Sequence, residues 1–306
     1  CVLVRLHSPR THRMKQVVRF ESGGFGVAGE CWGEERRVSY GTEGYDLRVG
    51  GEAQGSQGDY LATGGLVVWM GNEDLLLVRG PGEGRRRFLD FAASQLVPAY
   101  RRHLSRYRRA LRARNLLLKE RRIDEGQVAA YTGLLVEHGS ALQEGRAELV
   151  ARLNAPVQET HAVVSGRDEA ITLDYRPAGG GDLAQAFEDA AERERRQGQT
   201  VVGPQRDDLI LALDGLPAAD YASEGQQRTL ALALKLGQGR VLQSSRETPP
   251  VFLIDDVFGE LDPGRRNALM GALPDEAQKL VTTTSLAWLE GRQPSVFRVK
   301  TGMVEG

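Results

Sequence analysis

The chain has 306 residues, 41% of them hydrophobic and 26% charged, with a formal net charge of −1. That balance fits a globular protein long enough to bury a core and to hold more than one domain. It contains no apolar run near the ~20 residues that a membrane helix needs and no signal-peptide pattern, so the cytoplasm is the expected setting. Two cysteines, Cys1 and Cys31, show no paired spacing, which argues against a disulfide framework or a zinc site. The chain opens on Cys1 rather than Met and reads as a fragment or a mis-assigned start.

Residues 1 to 20 are basic, with Arg5, Arg10, Arg13, Lys15 and Arg19. Short Gly-rich alternating stretches follow at about 25–32, 36–40, 45–49 and 66–70, and read as antiparallel strands joined by tight turns. The last, Leu66 to Met70, is apolar enough to be buried, with Trp69 in the core. Composition then shifts: from Arg79 to Arg122 there are fourteen Arg or Lys against three acids, Glu83, Asp90 and Glu120. Within that stretch Leu96, Tyr100, Leu104, Tyr107, Leu111 and Leu118 keep helical spacing, which predicts one long helix. Ile123 to Gly126 breaks it, and Val128, Leu135, Leu142, Leu149, Leu153 and Val157 mark a second, so that a helical hairpin is expected to form a protruding arm.

A strand is predicted at Ile171 to Tyr175, a charged helix from about Asp182 to Arg196, and a turn at Gly203 to Asp208 that leads into a strand at Leu209 to Leu213. Strand and helix then alternate to Val281, the order of an α/β fold with a parallel sheet. The chemistry concentrates between Tyr221 and Asp262. Ser223-Glu224-Gly225-Gln226 opens a helix, where a hydroxyl, free N–H groups and the positive dipole end suit an anion. As a bland alternative, the same residues make an ordinary capping box. Val251 to Ile254 reads as a buried strand ending in Asp255 and Asp256, two carboxylates fit to hold Mg²⁺ and to polarise a water. Alone, such a pair is more often a turn. The two motifs one helix apart, with Gly259-Glu260-Leu261-Asp262 just beyond, form a conjunction that neither bland reading explains.

Ser223 to Leu234 (SEGQQRTLALAL), Gly203 to Leu209 (GPQRDDL), Ile254 to Asp262 (IDDVFGELD), Asn72 to Asp90 and Tyr107 to Leu118 closely resemble the RecF family, bacterial recombination-mediator ATPases of the ABC type related to SMC proteins. The resemblance spans essentially the whole chain. It departs at Asn72, where the family usually has Pro, and at Gln205, where it usually has His. It implies an ABC-type ATPase head, an α/β fold with a mixed sheet, carrying a helical-hairpin arm: 1–87 the first part of the head, 88–162 the arm, and 163–306 the rest of the head. It implies ATP and Mg²⁺ as cofactors, with Asp255 on the metal and Asp256 as catalytic carboxylate. Ser223, Gly225 and Gln226 would meet the γ-phosphate held by the other subunit of an ATP-dependent homodimer. Asp262 would cross the interface, and Thr284 would sense phosphate. A RecR-type partner and gapped or single-strand–double-strand junction DNA, single- and double-stranded parts alike, are implied as well, in a role in recombinational repair and the SOS response.

No G-x-x-x-x-G-K-[ST] occurs in the 306 residues, and Ser8-Pro9-Arg10-Thr11 resembles the family segment that follows the helix behind that motif. Without the backbone cradle and its Lys, these residues alone are expected neither to bind ATP tightly nor to hydrolyse it. The basic stretch points to phosphate backbones, through Arg85, Arg86, Arg87, Arg101, Arg102, Arg108, Arg109 and Arg112. A solvated helix face is its plainer reading, but an excess of eleven positive charges (fourteen minus three) in a chain of net −1 favours nucleic acid. No stacking-aromatic pattern is evident, so no base preference is expected. His7, His12, His103, His138 and His161 form no ligand spacing, and His138, Tyr100 and Tyr107 read as packed core. Two alternatives stand beside this reading: a truncated, ATP-independent relative that binds only DNA or a RecR-type partner, and an SMC-like structural clamp, which would need a far longer coiled coil.

Overall fold

A computed structural model describes every residue except 12, 247, 287, 288, 290–292 and 306, and all but the side chain of Glu260. His12 therefore lies outside the described residues. The chain begins with the short helix α1 (Val2–Arg5), followed by the strands β1 (Phe25–Cys31), β2 (Glu34–Gly41), β3 (Gly44–Val49) and β4 (Glu52–Ala53). These pair antiparallel in sequence order. The β1–β2 hairpin turns through Trp32 and Gly33, both at positive φ, as a two-residue turn between twisted strands requires. Val38 and Leu47 on the sheet's inner face pack against Leu6 and against Tyr60 and Leu61 of helix α2 (Gln57–Ala62).

Strand β5 (Val67–Gly71) does not join that sheet. It pairs in parallel with a strand some 184 residues further on, contrary to the antiparallel reading of 66–70. Trp69 is only half-buried, its indole N–H donating to Glu73 at 3.3 Å. Helices α3 (Leu75–Arg79), α4 (Gly82–Leu96) and α5 (Tyr100–Leu117) follow. The single long helix expected from 79 to 122 is thus divided. Pro98 has no N–H and disfavours helical backbone at Val97, so the chain turns although the apolar spacing runs on. Tyr100 and Tyr107 are core residues as expected, 2% exposed each.

Helix α6 (Glu125–Ser165) is continuous over 41 residues, about 60 Å at helical rise, and passes through Pro156. It pairs with α5 as a hairpin, and buried residues recur along it from Val128 to Val164. Toward its C-terminal end it covers the free edge of strand β6 (Ile171–Arg176). Asn154 bonds both Leu173 N–H and Leu173 C=O, and Gln158 accepts from Ile171 N–H. Two side chains four residues apart on a helix thus satisfy a sheet edge that would otherwise expose unpaired groups.

Helix α7 (Leu183–Gln197), capped by Asp182, leads to β7 (Asp208–Leu213) and β8 (Leu216–Pro217). These two strands complete an antiparallel sheet with β6, so β7 lies outside the parallel sheet expected from strand–helix alternation. After α8 (Ala218–Tyr221) comes α9 (Glu224–Gln243), then β9 (Val251–Asp255), α10 (Pro263–Ala272), β10 (Lys279–Thr282) and the hairpin β11 (Arg298–Lys300) and β12 (Met303–Glu305). The parallel sheet has the order β10-β9-β5. α9 is buried nearly all round because it separates two apolar clusters. Leu230, Ala233 and Leu234 face the cluster shared with the arm, while Leu232 and Leu236 face the parallel sheet through Phe252 and Ile254. Each fully buried leucine contributes roughly 2 kcal/mol from removal of apolar surface.

Candidate functional site

The three parallel strands end level with one another: Gly71 and Thr282 are both register partners of Asp255. In open α/β sheets this carboxyl edge is where ligands enter. Here it opens into a cleft of about 400 Å³ lined by Arg10, Asn72, Asp255, Asp256 and Thr282 to Thr284. Asp255 accepts a hydrogen bond from the Thr282 hydroxyl and another from the Arg10 guanidinium at 2.9 Å. Burial pushes its carboxyl up, but the bonds from Thr282 and Arg10 outweigh that and hold it below the usual carboxylate range.

Asp256 is at φ 53°, a left-handed conformation that a non-glycine residue adopts at a cost of about 1–2 kcal/mol. Its N–H donates to Thr282 C=O at 3.1 Å, and its C=O faces the Asn72 amide at 3.5 Å. Its Oδ1 is buried with no hydrogen-bond partner. An orphaned carboxylate oxygen on strained backbone at a ligand edge is the arrangement expected where a partner arrives from outside. With the Thr282 to Thr284 hydroxyls, the oxygen-only donor set is of the hard kind Mg²⁺ prefers. Thr284 lines the cleft, but Thr282, not Thr284, bonds Asp255.

Ser223, Gly225 and Gln226 do not line this cleft. They form the first turn of α9, and the capping box is real: Ser223 Oγ accepts from Gln226 N–H, and Gln226 Oε1 accepts from Ser223 N–H at 2.9 Å. Ser223 is exposed all the same. Asp262 caps α10 through Arg265 N–H, a bond that, ahead of any charge effect, holds its carboxyl below the usual range. The Arg265 guanidinium bends back 3.6 Å from Asp262 and lies against Gly225, where an added methyl would sit only 3.1 Å from it. One arginine thus joins the Gly225 turn to Asp262 on one face, a contact the sequence did not reveal.

No family model matches the chain. Curated relatives do. The "DNA replication and repair protein RecF" of Synechococcus sp. strain JA-3-3Ab is 38% identical over 282 residues, covering 85% of this chain and 73% of that protein. The protein of the same name from Symbiobacterium thermophilum is 41% identical, covering 78% and 68%. That of Anaeromyxobacter sp. strain K is 39% identical, covering 99% and 87%. The chain belongs to the RecF family. In fold it matches a solved structure of the recombination mediator protein RecF bound to ATP, with a TM-score of 0.87 at 24% identity, over 99% of this chain and 85% of that one.

In this RecF chain the basic residues divide into two groups. Arg85 is buried and clamps Asp208 with two bonds of 2.7 and 2.8 Å, and Arg86 donates to Asp207 C=O, so both are engaged internally. The Arg108 guanidinium reaches Asp90 at 3.2 Å, and Arg101 is half-buried, its charge disfavoured by desolvation and supported by Tyr45. Arg87, beside Glu83, remains exposed, as do Arg102, Arg109 and Arg112, together with Arg106 and, at the hairpin turn, Lys119, Arg121 and Arg122. Strand pairing also assembles an aromatic row invisible in sequence, Phe25, Tyr40 and Tyr45, with ring centroids 5.7 and 5.0 Å apart. His138 is buried and packs edge-on against His103. No described helix is long and apolar enough to cross a membrane.

Proposed function

We propose that these residues form the signature and Walker B portions of an ATP-modulated, DNA-binding RecF protein. It acts at gapped or single-strand–double-strand junction DNA in recombinational repair, in the cytoplasm, with a RecR-type partner. The observation that carries the nucleotide half is Asp256, which lines the cleft beside Asp255 and whose Oδ1 is buried without a hydrogen-bond partner. Asp255, Asp256 and Thr282 would hold Mg²⁺, which when bound neutralises phosphate oxygens. Asp256 is the group suited to orient an attacking water, and Thr284 to touch phosphate. Ser223, Gly225, Gln226 and Asp262 stand apart from the cleft, which supports their use on nucleotide held by a second copy in an ATP-dependent homodimer. Residues 1–87 and 163–306 serve as the head and 88–162 as the arm. Arg87, Arg102, Arg109 and Arg112 supply the phosphate-backbone contacts; Arg101 and Arg108 stand at the margin, and Arg85 and Arg86 tie the two parts of the head together.

The metal half is testable on this chain with Mn²⁺ as the probe, its binding followed by electron paramagnetic resonance. Arg10 occupies Asp255, so a cation must displace it. A partly exposed ion pair is worth about 0.2–1 kcal/mol, so Arg10→Ala should tighten Mn²⁺ up to about fivefold. Asp255→Asn should abolish binding. Mn²⁺ affinity indifferent to both substitutions would contradict the assignment.

A further inference from the structure

His161 and Glu169 take no part in the roles assigned above, yet they bridge the arm and the Ser223 turn. His161 lies near the end of α6, fully buried, with Nε2 2.8 Å from Glu169 Oε2. Glu169 Oε1 accepts from Gln226 Nε2 at 2.9 Å, and Gln226 Oε1 accepts from both the N–H and the hydroxyl of Ser223. Arg167 also reaches Glu169 Oε1, at 3.4 Å. A second tie fixes the Glu169 backbone to the same helix: Gln158 Nε2 donates to Glu169 C=O at 3.0 Å. Hydrogen bonds thus run without a gap from α6 to the first turn of α9.

The chemistry of this bridge is not that of ordinary packing. His161 Nδ1 is buried with no partner, a cost of about 1–3 kcal/mol that a hydrocarbon ring would not incur. Burial pushes the Glu169 carboxyl up, but hydrogen bonds from His161, Gln226 and Arg167 outweigh it and keep Glu169 an acceptor for both neighbours. Since α6 is one continuous helix from the hairpin turn to Ser165, through Pro156, a displacement of the arm has a direct path along it to His161.

We propose that His161 and Glu169 are positioning residues through which the arm helix sets the Ser223–Gly225 turn, so that DNA held on the arm alters how that turn is presented. The proposal rests on the reading that the arm binds DNA. It is tested by amide hydrogen exchange of residues 221–228 in the whole chain, with and without a saturating gapped duplex. In the wild type DNA should slow exchange there by about fivefold or more, the low end of site-to-site coupling. Glu169→Ala and His161→Phe should lose this response while binding DNA within about twofold of wild type, well inside one factor-of-ten step in affinity. Glu169→Gln, which still accepts from Gln226, should keep it. His161→Phe preserves the packed ring, so it decides the matter if Glu169→Ala does not fold. A response that survives in either disrupting variant, or that is lost equally in Glu169→Gln, overturns the proposal. Wild-type chain that binds DNA without any change at 221–228 overturns the coupling and leaves DNA binding standing. Failure to bind DNA removes both.

Discussion

Asp256 and Arg146 mark what a residue's type does and does not disclose. The adjacent carboxylates at the end of an apolar strand were legible as such, because composition and spacing are local; their reading as a metal-type pair belongs to the proposal. The left-handed backbone at Asp256 and its unpartnered oxygen were not, since its surroundings are set by Thr282 at the end of β10 and Asn72 just after β5, both distant in sequence. Arg85 and Arg86 were read as DNA contacts for the same reason: their acceptors, Asp208 and Asp207, are more than 120 residues away. At the centre of that region Arg146, 2% exposed, bonds Asp90 and Asp207 at 2.8 Å each, and the Tyr100 and Tyr175 hydroxyls bond the same two carboxylates. Replacing it leaves Asp207 buried without its cation and Asp90 with only the exposed Arg108. Arg146→Met should therefore cost about 3–5 kcal/mol of stability, read as a lowered denaturant midpoint. A loss below about 1 kcal/mol would show that the network is not buried as described.

At the scale of elements, helices declared themselves and strand partners did not. α6, α7 and α9 begin at Asp124, Asp182 and Ser223, each a side chain capping the helix it precedes, and such starts are written in the sequence. Pro98 was equally visible, but the apolar spacing continuing from Leu96 to Tyr100 masked the break it makes. β5 and β7 were assigned to the wrong sheets because pairing is a long-range choice: neighbours in sequence suggested antiparallel company for β5 and parallel company for β7. The aromatic row Phe25–Tyr40–Tyr45 appears only once the register of three strands is set.

For the whole molecule, the Ser223 turn lies outside the cleft at Asp255–Asp256, the two serving as separate half-sites in the function proposed above, and no G-x-x-x-x-G-K-[ST] motif is among the 306 residues. These residues alone should therefore show no magnesium-dependent ATP hydrolysis. A clear rate that Asp256→Asn removes would contradict this account of the cleft. The arm is independent of that missing element, so it offers the most direct test of the central claim that this RecF chain binds DNA through it. The measurement is equilibrium binding to a gapped duplex over a salt series, wild type against the triple variant Arg102→Glu, Arg106→Glu and Arg109→Glu. Each phosphate neutralised contributes about 0.9 to the slope of log affinity against log salt, so the wild type should fall steeply and the variant's slope should shrink by about 2 to 3. Affinity that is flat with salt, or a variant indistinguishable from wild type, would contradict it.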